Sequence, residues 1–209
     1  SRVSRGLGDV YKRQDYGKPG NYVARQVSRW SKQYRASETD NIEAMNNLIE
    51  WLPKNIPDDD ETTIVHGDYR LDNMILRNNE VIGILDWELS TLGHPIADFS
   101  YHCLSWRTQE AFWDEAKLKE LGIPSEKEYM EMYCKYSGKD LSKNWEFYMA
   151  FNMFKIAGIL QGILGRVRDG TAASKHAKER GNMVFPLSQA AWETICLLYT
   201  SPSPRDTRE

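Results

Sequence analysis

A polar loop enclosed by two short apolar runs constrains this chain more than any other feature of its 209 residues. The apolar pair 64–65 leads into the loop 66–73, which reads HGDYRLDN, and the apolar run 74–76 follows it. Short apolar runs bounded by turn-forming residues are typical of strands. The sequence therefore predicts a strand, a polar loop and a second strand, in that order.

A turn signal predicts a hairpin directly after this loop. Asn78 and Asn79, which tolerate left-handed backbone, separate the run 74–76 from the apolar run 81–85. Two apolar runs joined by such a dipeptide are expected to pair as antiparallel strands.

The predicted hairpin determines which polar side chains meet. It carries Asn73 and Asp86 to the same end of a small sheet, where we expect Asp68 to face both. Carboxylate and carboxamide oxygens suit Mg²⁺ better than Zn²⁺. Phosphoryl transfer needs an Asp beside the attacking hydroxyl, together with an Asn and an Asp that hold metal against the phosphates. The three residues supply that set.

The ordered set of motifs resembles a known family. His-Gly-Asp at 66–68, Asn73, a short hairpin and Leu-Asp-Trp-Glu at 85–88 resemble the aminoglycoside phosphotransferase and choline kinase group, which has the protein-kinase-like fold. VHGDYRLDNMIL and ILDWELSTLGHPIADFSY resemble, more specifically, the phosphotransferase domain fused to some acyl-CoA dehydrogenases. The resemblance covers roughly residues 22–192. It implies an α+β, mostly helical fold: the C-terminal lobe of a protein-kinase-like fold, with a small β-hairpin sheet carrying the catalytic loop.

The resemblance also implies a reaction and a set of roles. It implies a small-molecule kinase that transfers the γ-phosphate of ATP to a hydroxyl, for example of a hydroxyacyl compound or its CoA thioester, with Mg²⁺ as cofactor. Asp68 would orient the hydroxyl, and Asn73 and Asp86 would hold the metal. Fusion to, or association with, an acyl-CoA dehydrogenase is a further implied partner.

Five further residues are candidates for supporting roles. His66 and Asp98 are expected to support the catalytic loop, although Asp98 also suits the N-cap of a helix that runs through residue 104. Arg70 and Asp72 are candidates for contacts with substrate or with each other. Glu88 either contacts the metal or faces solvent.

Two other functions stay open at this point. The first is a kinase-like module that binds a partner or ligand without catalysis. The second is a metallohydrolase using His66, Asp68, Asp86 and His94, although zinc sites usually contain several histidines at defined spacing.

Charge and composition give no reason to expect nucleic acid or a membrane as a partner. A net charge of −3 and a pI near 5.9 give no electrostatic reason to expect nucleic acid or an acidic membrane surface. Three cysteines without metal-ligand spacing fit a reducing compartment. We expect a cytoplasmic protein that binds no nucleic acid and no membrane.

The two ends of the chain are predicted to be foreign. Segments 4–14 and 196–205 can be encoded by opposite strands of one DNA string, read one base out of phase. We therefore interpret residues 1–14 and 196–209 as adapter-derived tails around a phosphotransferase lobe at 15–195. The N-terminal lobe, with its Lys-bearing strand, is expected to be missing, and the fragment alone is expected to be inactive.

Apolar periodicity predicts helices on both sides of the central stretch. They cover residues 23–34, 110–121, 125–136, 144–167 and 172–191. A further helix follows the N-cap candidates at 37–40, with Glu43 three residues after Asp40, and is stopped by Pro53 and Pro57. Ser125 and Glu128 form a capping box. The segment 144–167 is apolar on all sides and is therefore predicted to be buried. The last helix is expected to bend or break near Pro186.

Overall fold

The computed structural model describes residues 17–59, 61–108, 115–172 and 176–200. The helices are α1 (Tyr22–Ser37), α2 (Glu43–Trp51), α3 (Pro95–Cys103), α4 (Ser105–Thr108), α5 (Glu115–Glu120), α6 (Glu126–Ser137), α7 (Trp145–Arg168), α8 (Ala177–Gly181) and α9 (Val184–Thr200). The strands are β1 (Thr63–Val65), β2 (Met74–Arg77), β3 (Glu80–Ile84) and β4 (Thr91–Gly93). Single 3-10 turns cover Leu52–Lys54, Leu71–Asn73 and Trp87–Leu89.

The strands form two antiparallel pairs instead of one sheet. β2 pairs with β3 as the predicted hairpin, and its turn residues Asn78 and Asn79 have φ angles of 51° and 63°. Positive φ at both positions is the backbone of a two-residue hairpin turn, and Asn adopts it at lower cost than most residues. β1 pairs with β4, with Thr63 opposite Gly93. This second pair brings the start of the polar loop next to the start of α3.

Helix α7 is the centre of the hydrophobic core. It packs against α1, α3 and α9, and Tyr148, Phe151 and Phe154 on it are fully buried. By length and composition α7 is also apolar enough to cross a membrane, but 67% of its most apolar window is buried inside the fold. The prediction of a buried helix is confirmed.

Helices α1 and α7 approach each other closely. A Cβ atom on Gly165 of α7 would lie 3.0 Å from the Cβ atom of Ser37 on α1. The Gln161 side chain donates to the Ser37 carbonyl oxygen at 2.7 Å. Gly165 allows the two helices to approach closely because it has no side chain, and the hydrogen bond from Gln161 stabilises this packing.

Two predictions about helix ends have opposite outcomes. Ser125 and Glu128 form the predicted capping box at the start of α6. The predicted cap by Asp40 is wrong, because α2 begins later, with Ile42 at the N-cap and no side-chain cap. Pro53 lies in the 3-10 turn that follows α2.

The C-terminal helix is also divided differently from the prediction. The chain forms α8 and α9, and Pro186 lies in the first turn of α9 instead of at a bend. Proline is tolerated there because N–H groups of the first turn have no intrahelical acceptor. Helix α9 continues to Thr200, past the predicted boundary at residue 195. The predicted tail 1–14, residues 201–209 of the predicted tail 196–209 and the first part of the predicted helix 110–121 lie outside the described residues.

Candidate active site

The carboxylate of Asp98 anchors the polar loop. Its Oδ2 accepts from the His66 backbone N–H at 2.8 Å, and its Oδ1 accepts from the Gly67 N–H at 2.9 Å. Gly67 has a φ of 84°, and a Cβ atom there would lie 2.8 Å from the Leu89 carbonyl oxygen. Asp98 is in the first turn of α3, where His94 is the N-cap. The N-cap alternative for Asp98 is therefore wrong, and the residue braces the loop.

The His66 imidazole has a tautomer fixed by its two partners. Its Nδ1 lies 3.2 Å from the Asp68 backbone N–H, and its Nε2 lies 2.8 Å from the Leu85 carbonyl oxygen. Because the first partner can only donate and the second can only accept, the proton is on Nε2. His66 is buried. It links the loop before Asp68 to the end of β3.

Asp68 receives hydrogen bonds on both carboxylate oxygens. The Tyr101 hydroxyl donates to Oδ1 at 3.0 Å, and Asn73 Nδ2 donates to Oδ2 at 3.1 Å. Asn73 Nδ2 also donates to the Asp68 carbonyl oxygen at 2.8 Å. The carboxylate is thus held from two sides and has lone pairs remaining for a third group.

The hairpin places Asn73 and Asp86 at one end, as predicted. Met74 pairs with Ile84, and the Leu85 N–H donates to the Asn73 carbonyl oxygen at 2.8 Å. Asp86 follows directly, in a left-handed conformation with a φ of 61°. Left-handed backbone at a residue other than glycine costs energy and is concentrated at functional sites.

Three other candidates lie at the exposed edge of this cluster. Arg70 donates through Nε to Asp72 Oδ2 at 2.9 Å, and both side chains are largely exposed. Glu88 is exposed in the turn after Asp86. The predicted contact between Arg70 and Asp72 is confirmed, while direct hydrogen bonds do not join these three residues to Asp68 within the described ranges.

The donor set at the hairpin end fits a magnesium ion. The Asn73 amide nitrogen is used by Asp68, which leaves its Oδ1 as an available hard oxygen. The exposed Asp86 carboxylate has no hydrogen-bond or ion-pair partner among the described residues. Oxygen donors from a carboxylate and a carboxamide are the chemistry that Mg²⁺ prefers.

The metallohydrolase alternative required His94, which is used elsewhere. Its Nε2 lies 2.7 Å from the Asp59 carbonyl oxygen, and its ring stacks on Tyr148 at 5.0 Å between centroids. Within the part of the chain that the structure describes, no three His, Cys, Asp or Glu side chains form a potential metal site. The geometry of the described residues therefore does not support a metallohydrolase site that contains His94.

Sequence reasoning missed Tyr101 and Lys155. Tyr101 comes three residues after Asp98, one turn along α3, and that spacing was the available signal. Burial raises the pKa of Tyr101 to about 12, with Asp68 acting in the same direction, so the hydroxyl remains a donor at neutral pH. Lys155 is on α7, with its Nζ 4.8 Å from the centre of the Tyr101 ring. No local pattern links α7 to this loop.

Known proteins share both the family features and the fold. Residues 4–133 match the phosphotransferase enzyme family. The chain is 45% identical over 185 residues to acyl-CoA dehydrogenase family member 10 of Mus musculus, covering 85% of this chain and 17% of that protein. It is 41% identical over 197 residues to family member 11 of Homo sapiens, covering 91% of this chain and 25% of that protein.

A solved structure confirms the predicted fold class. A crystal structure from Ralstonia eutropha JMP134, described as a candidate aminoglycoside phosphotransferase, superimposes with a TM-score of 0.82 at 49% identity. The match covers 88% of this chain and 58% of that one. The chain thus spans a quarter or less of the two dehydrogenase-family relatives and just over half of the structural one.

Proposed function

The chain belongs to the phosphotransferase enzyme family, and from this premise we propose that it carries the catalytic loop of an ATP- and magnesium-dependent kinase for a small-molecule hydroxyl. The observation that supports the proposal most strongly is the Asp68 carboxylate, which Tyr101 and Asn73 hold from two sides. A carboxylate fixed in this way suits the residue that orients an attacking hydroxyl.

Each residue of the cluster has a separate task in this proposal. Asp68 accepts the hydrogen bond of the substrate hydroxyl and takes its proton as the oxygen attacks phosphorus. Asn73 and Asp86 would hold Mg²⁺, which supplies neutralisation of phosphate charge when bound. His66 and Asp98 keep the loop in one conformation, so that little reorganisation is needed during transfer.

The hairpin also offers a surface for the rest of the nucleotide site. Leu76 on β2 and its partner Val81 on β3 are 58% and 49% exposed, and further large apolar residues near them are exposed as well. Contiguous exposed apolar groups are usually covered by a partner or ligand. We propose that a strand-rich lobe and the bound nucleotide cover this face in the full-length gene product.

The relatives suggest a class of acceptor. Two of them are named acyl-CoA dehydrogenase family members. We propose that the acceptor is a hydroxyacyl compound or its CoA thioester, and that the native protein is fused to, or associates with, an acyl-CoA dehydrogenase.

Replacing Asp68 tests the central claim. In the full-length gene product, Asp68→Ala should lower phosphoryl transfer by at least ~100-fold, within the range for loss of a general base. Binding of magnesium and ATP, measured by calorimetry, should change little because Asn73 and Asp86 are intact. Asp169→Asn, an exposed change at the end of α7, is the matched control. Unchanged turnover in a folded Asp68→Ala variant would refute the role.

The same experiment addresses the binding-module alternative. A non-catalytic module would bind nucleotide in the wild-type protein without transferring phosphate to any hydroxyl compound. Turnover that depends on Asp68 is incompatible with it.

A further inference from the structure

A cation on α7, Lys155, lies beside the loop at the Tyr101 side of Asp68. Asn73 lies at Oδ2 of Asp68, whereas Tyr101 lies at Oδ1, and Lys155 lies over the Tyr101 ring with its Nζ 4.8 Å from the ring centre. Arg29, on α1, is close enough for its charge to act on Lys155. Helix α1, which carries Arg29, packs against α7, which carries Lys155.

Lys155 differs from the other polar residues in the apolar middle of α7. Asn152 donates to the Ala97 carbonyl oxygen at 2.9 Å, and Gln161 donates to the Ser37 carbonyl oxygen at 2.7 Å. Both therefore have a structural task. Lys155 is partly buried, yet none of its three N–H donors has an acceptor among the described residues.

The cations and the carboxylates of this region are unequally satisfied. Asp68 and Asp98 each accept hydrogen bonds on both oxygens. Lys155 and Arg29 form no ion pair within the described ranges, and Arg29 contacts only the face of Trp30, at 5.0 Å. The hydrogen-bond donors of Lys155 and Arg29 thus have no acceptor among the described residues, although the nearby Asp68 carboxylate keeps lone pairs free.

Structure alone does not account for an unpaired ammonium in this position. A cation over a tyrosine ring is stabilised by roughly 0.5–2 kcal/mol, but the ring offers no acceptor for the N–H groups. Burial lowers the pKa of Lys155, and repulsion by Arg29 acts in the same direction against the attraction of Asp98 and Asp68. A bound anion would remove both penalties.

We propose that Lys155 binds an oxyanion of the acceptor, a carboxylate or phosphate group that lies near the hydroxyl to be phosphorylated. The inference rests on the proposed function, and it narrows the acceptor to an acidic molecule. It also disfavours polycationic acceptors such as aminoglycosides, because Lys155 would repel them.

The test uses inorganic phosphate as the probe and the full-length gene product as the protein. Lysines are labelled by reductive ¹³C-methylation, and the Lys155 signal is identified as the one missing from Lys155→Arg. Phosphate is titrated at constant ionic strength with chloride as the balancing anion. We expect a saturable change in the Lys155 signal, with a dissociation constant in the millimolar range. The signal of Lys127, a lysine on α6 that is 81% exposed, should not saturate.

Calorimetry of the same titration measures the energetic contribution. Lys155→Met should weaken phosphate binding at least ~10-fold, as expected for loss of a charge-assisted hydrogen bond. Lys155→Arg should retain binding within about threefold, because the charge and donors remain, and Lys127→Met should bind as wild type does. Equal affinity in wild type and Lys155→Met overturns the proposal.

A second arm separates the acceptor from the nucleotide as the source of the anion. With a saturating non-hydrolysable ATP analogue and Mg²⁺, phosphate should still shift the Lys155 signal. If the nucleotide alone shifts that signal and phosphate no longer does, Lys155 binds the donor phosphate and the proposal is wrong. Neither arm requires turnover, so failure of the anion site is distinguishable from failure of the kinase proposal, which Asp68→Ala tests.

Discussion

At the scale of single residues, the environment of Asp68 explains how a short loop can hold a reactive carboxylate. Asn73 and Tyr101 use one oxygen each, and Asp98 fixes the backbone before Asp68 through the N–H groups of residues 66 and 67. The carboxylate cannot rotate without breaking one of its hydrogen bonds. In the proposed reaction it would therefore be oriented before the substrate binds, which is the condition for efficient positioning.

Tyr101→Phe tests this orientation in isolation. The variant removes the hydroxyl but keeps the ring beneath Lys155. We expect kcat of the full-length gene product to fall about 10- to 100-fold, since a hydrogen bond to a charged group contributes roughly 1.5–3 kcal/mol. The KM for ATP should stay the same because Tyr101 lies on the side of Asp68 away from Asn73.

Steady-state kinetics of Tyr101→Phe and of a matched variant provide the measurement. Tyr136→Phe is the control and should behave as wild type does, because Tyr136 on α6 is 79% exposed. A rise in the KM for ATP with unchanged kcat would contradict the assigned position of Tyr101.

The sequence alone predicted those site residues that lie close to one another along the chain or are joined by one hairpin. Asp68, Asn73 and Asp86 were placed together because a five-residue offset and one hairpin connect them. Tyr101 and Lys155 were missed because their relation to Asp68 depends on packing of distant elements. The N-cap alternative for Asp98 failed for a similar reason: its partners are 31 and 32 residues away in sequence.

At the scale of elements, the hairpin β2–β3 controls the distance between the predicted metal residues. Its turn was predictable because Asn78 and Asn79 have an intrinsic tolerance for positive φ. The pairing of β1 with β4 was not, because it joins three-residue strands across a long loop and has no signal in local propensity. The first pair builds the end of the site where we propose that the metal binds, and the second brings α3 to the loop.

Asn79→Gly should make the hairpin more stable. Gly adopts positive φ without a steric cost, and Asn-Gly is the preferred dipeptide for this turn. A gain of roughly 0.5–1 kcal/mol should slow amide hydrogen exchange of residues 74–84 about 2- to 5-fold. Asn79→Val should speed the same exchange, because a β-branched residue is strained at a φ of 63°. Faster exchange in Asn79→Gly would show that the turn is not under this constraint.

At the scale of the whole molecule, one helix serves both the core and the candidate site. Phe151 and Phe154 of α7 are buried in the core, while Lys155 on the same helix lies beside the loop. The sequence predicted α7 as buried, since its apolar residues cover all faces, but it gave Lys155 no role beyond interrupting the apolar run. Which side of a buried helix meets the site depends on its neighbours α1 and α3, whose arrangement is set by long-range packing.

Burial of tyrosine hydroxyls in this core should make the fold sensitive to alkali. Burial raises the pKa of Tyr22, Tyr101 and Tyr129 to about 12 each, whereas tyrosine in an unfolded chain titrates near pH ~10. Above about pH 10 the unfolded chain loses protons that the native protein retains, so the free energy of unfolding falls as pH rises. Below about pH 10 these tyrosines contribute their full stabilisation.

Tyr129→Phe isolates one of these contributions. Tyr129 donates to His102 Nε2 at 3.1 Å, because His102 Nδ1 faces the Tyr69 carbonyl oxygen and must carry the proton. The variant lacks that hydrogen bond at every pH. Because phenylalanine has no proton to lose, position 129 no longer contributes to the fall in stability at alkaline pH. Between about pH 10 and pH 12, its free energy of unfolding in urea should therefore fall by roughly 1–3 kcal/mol less than that of wild type. Tyr136→Phe is the matched control, and parallel curves for wild type and Tyr129→Phe would mean that burial does not hold the Tyr129 proton.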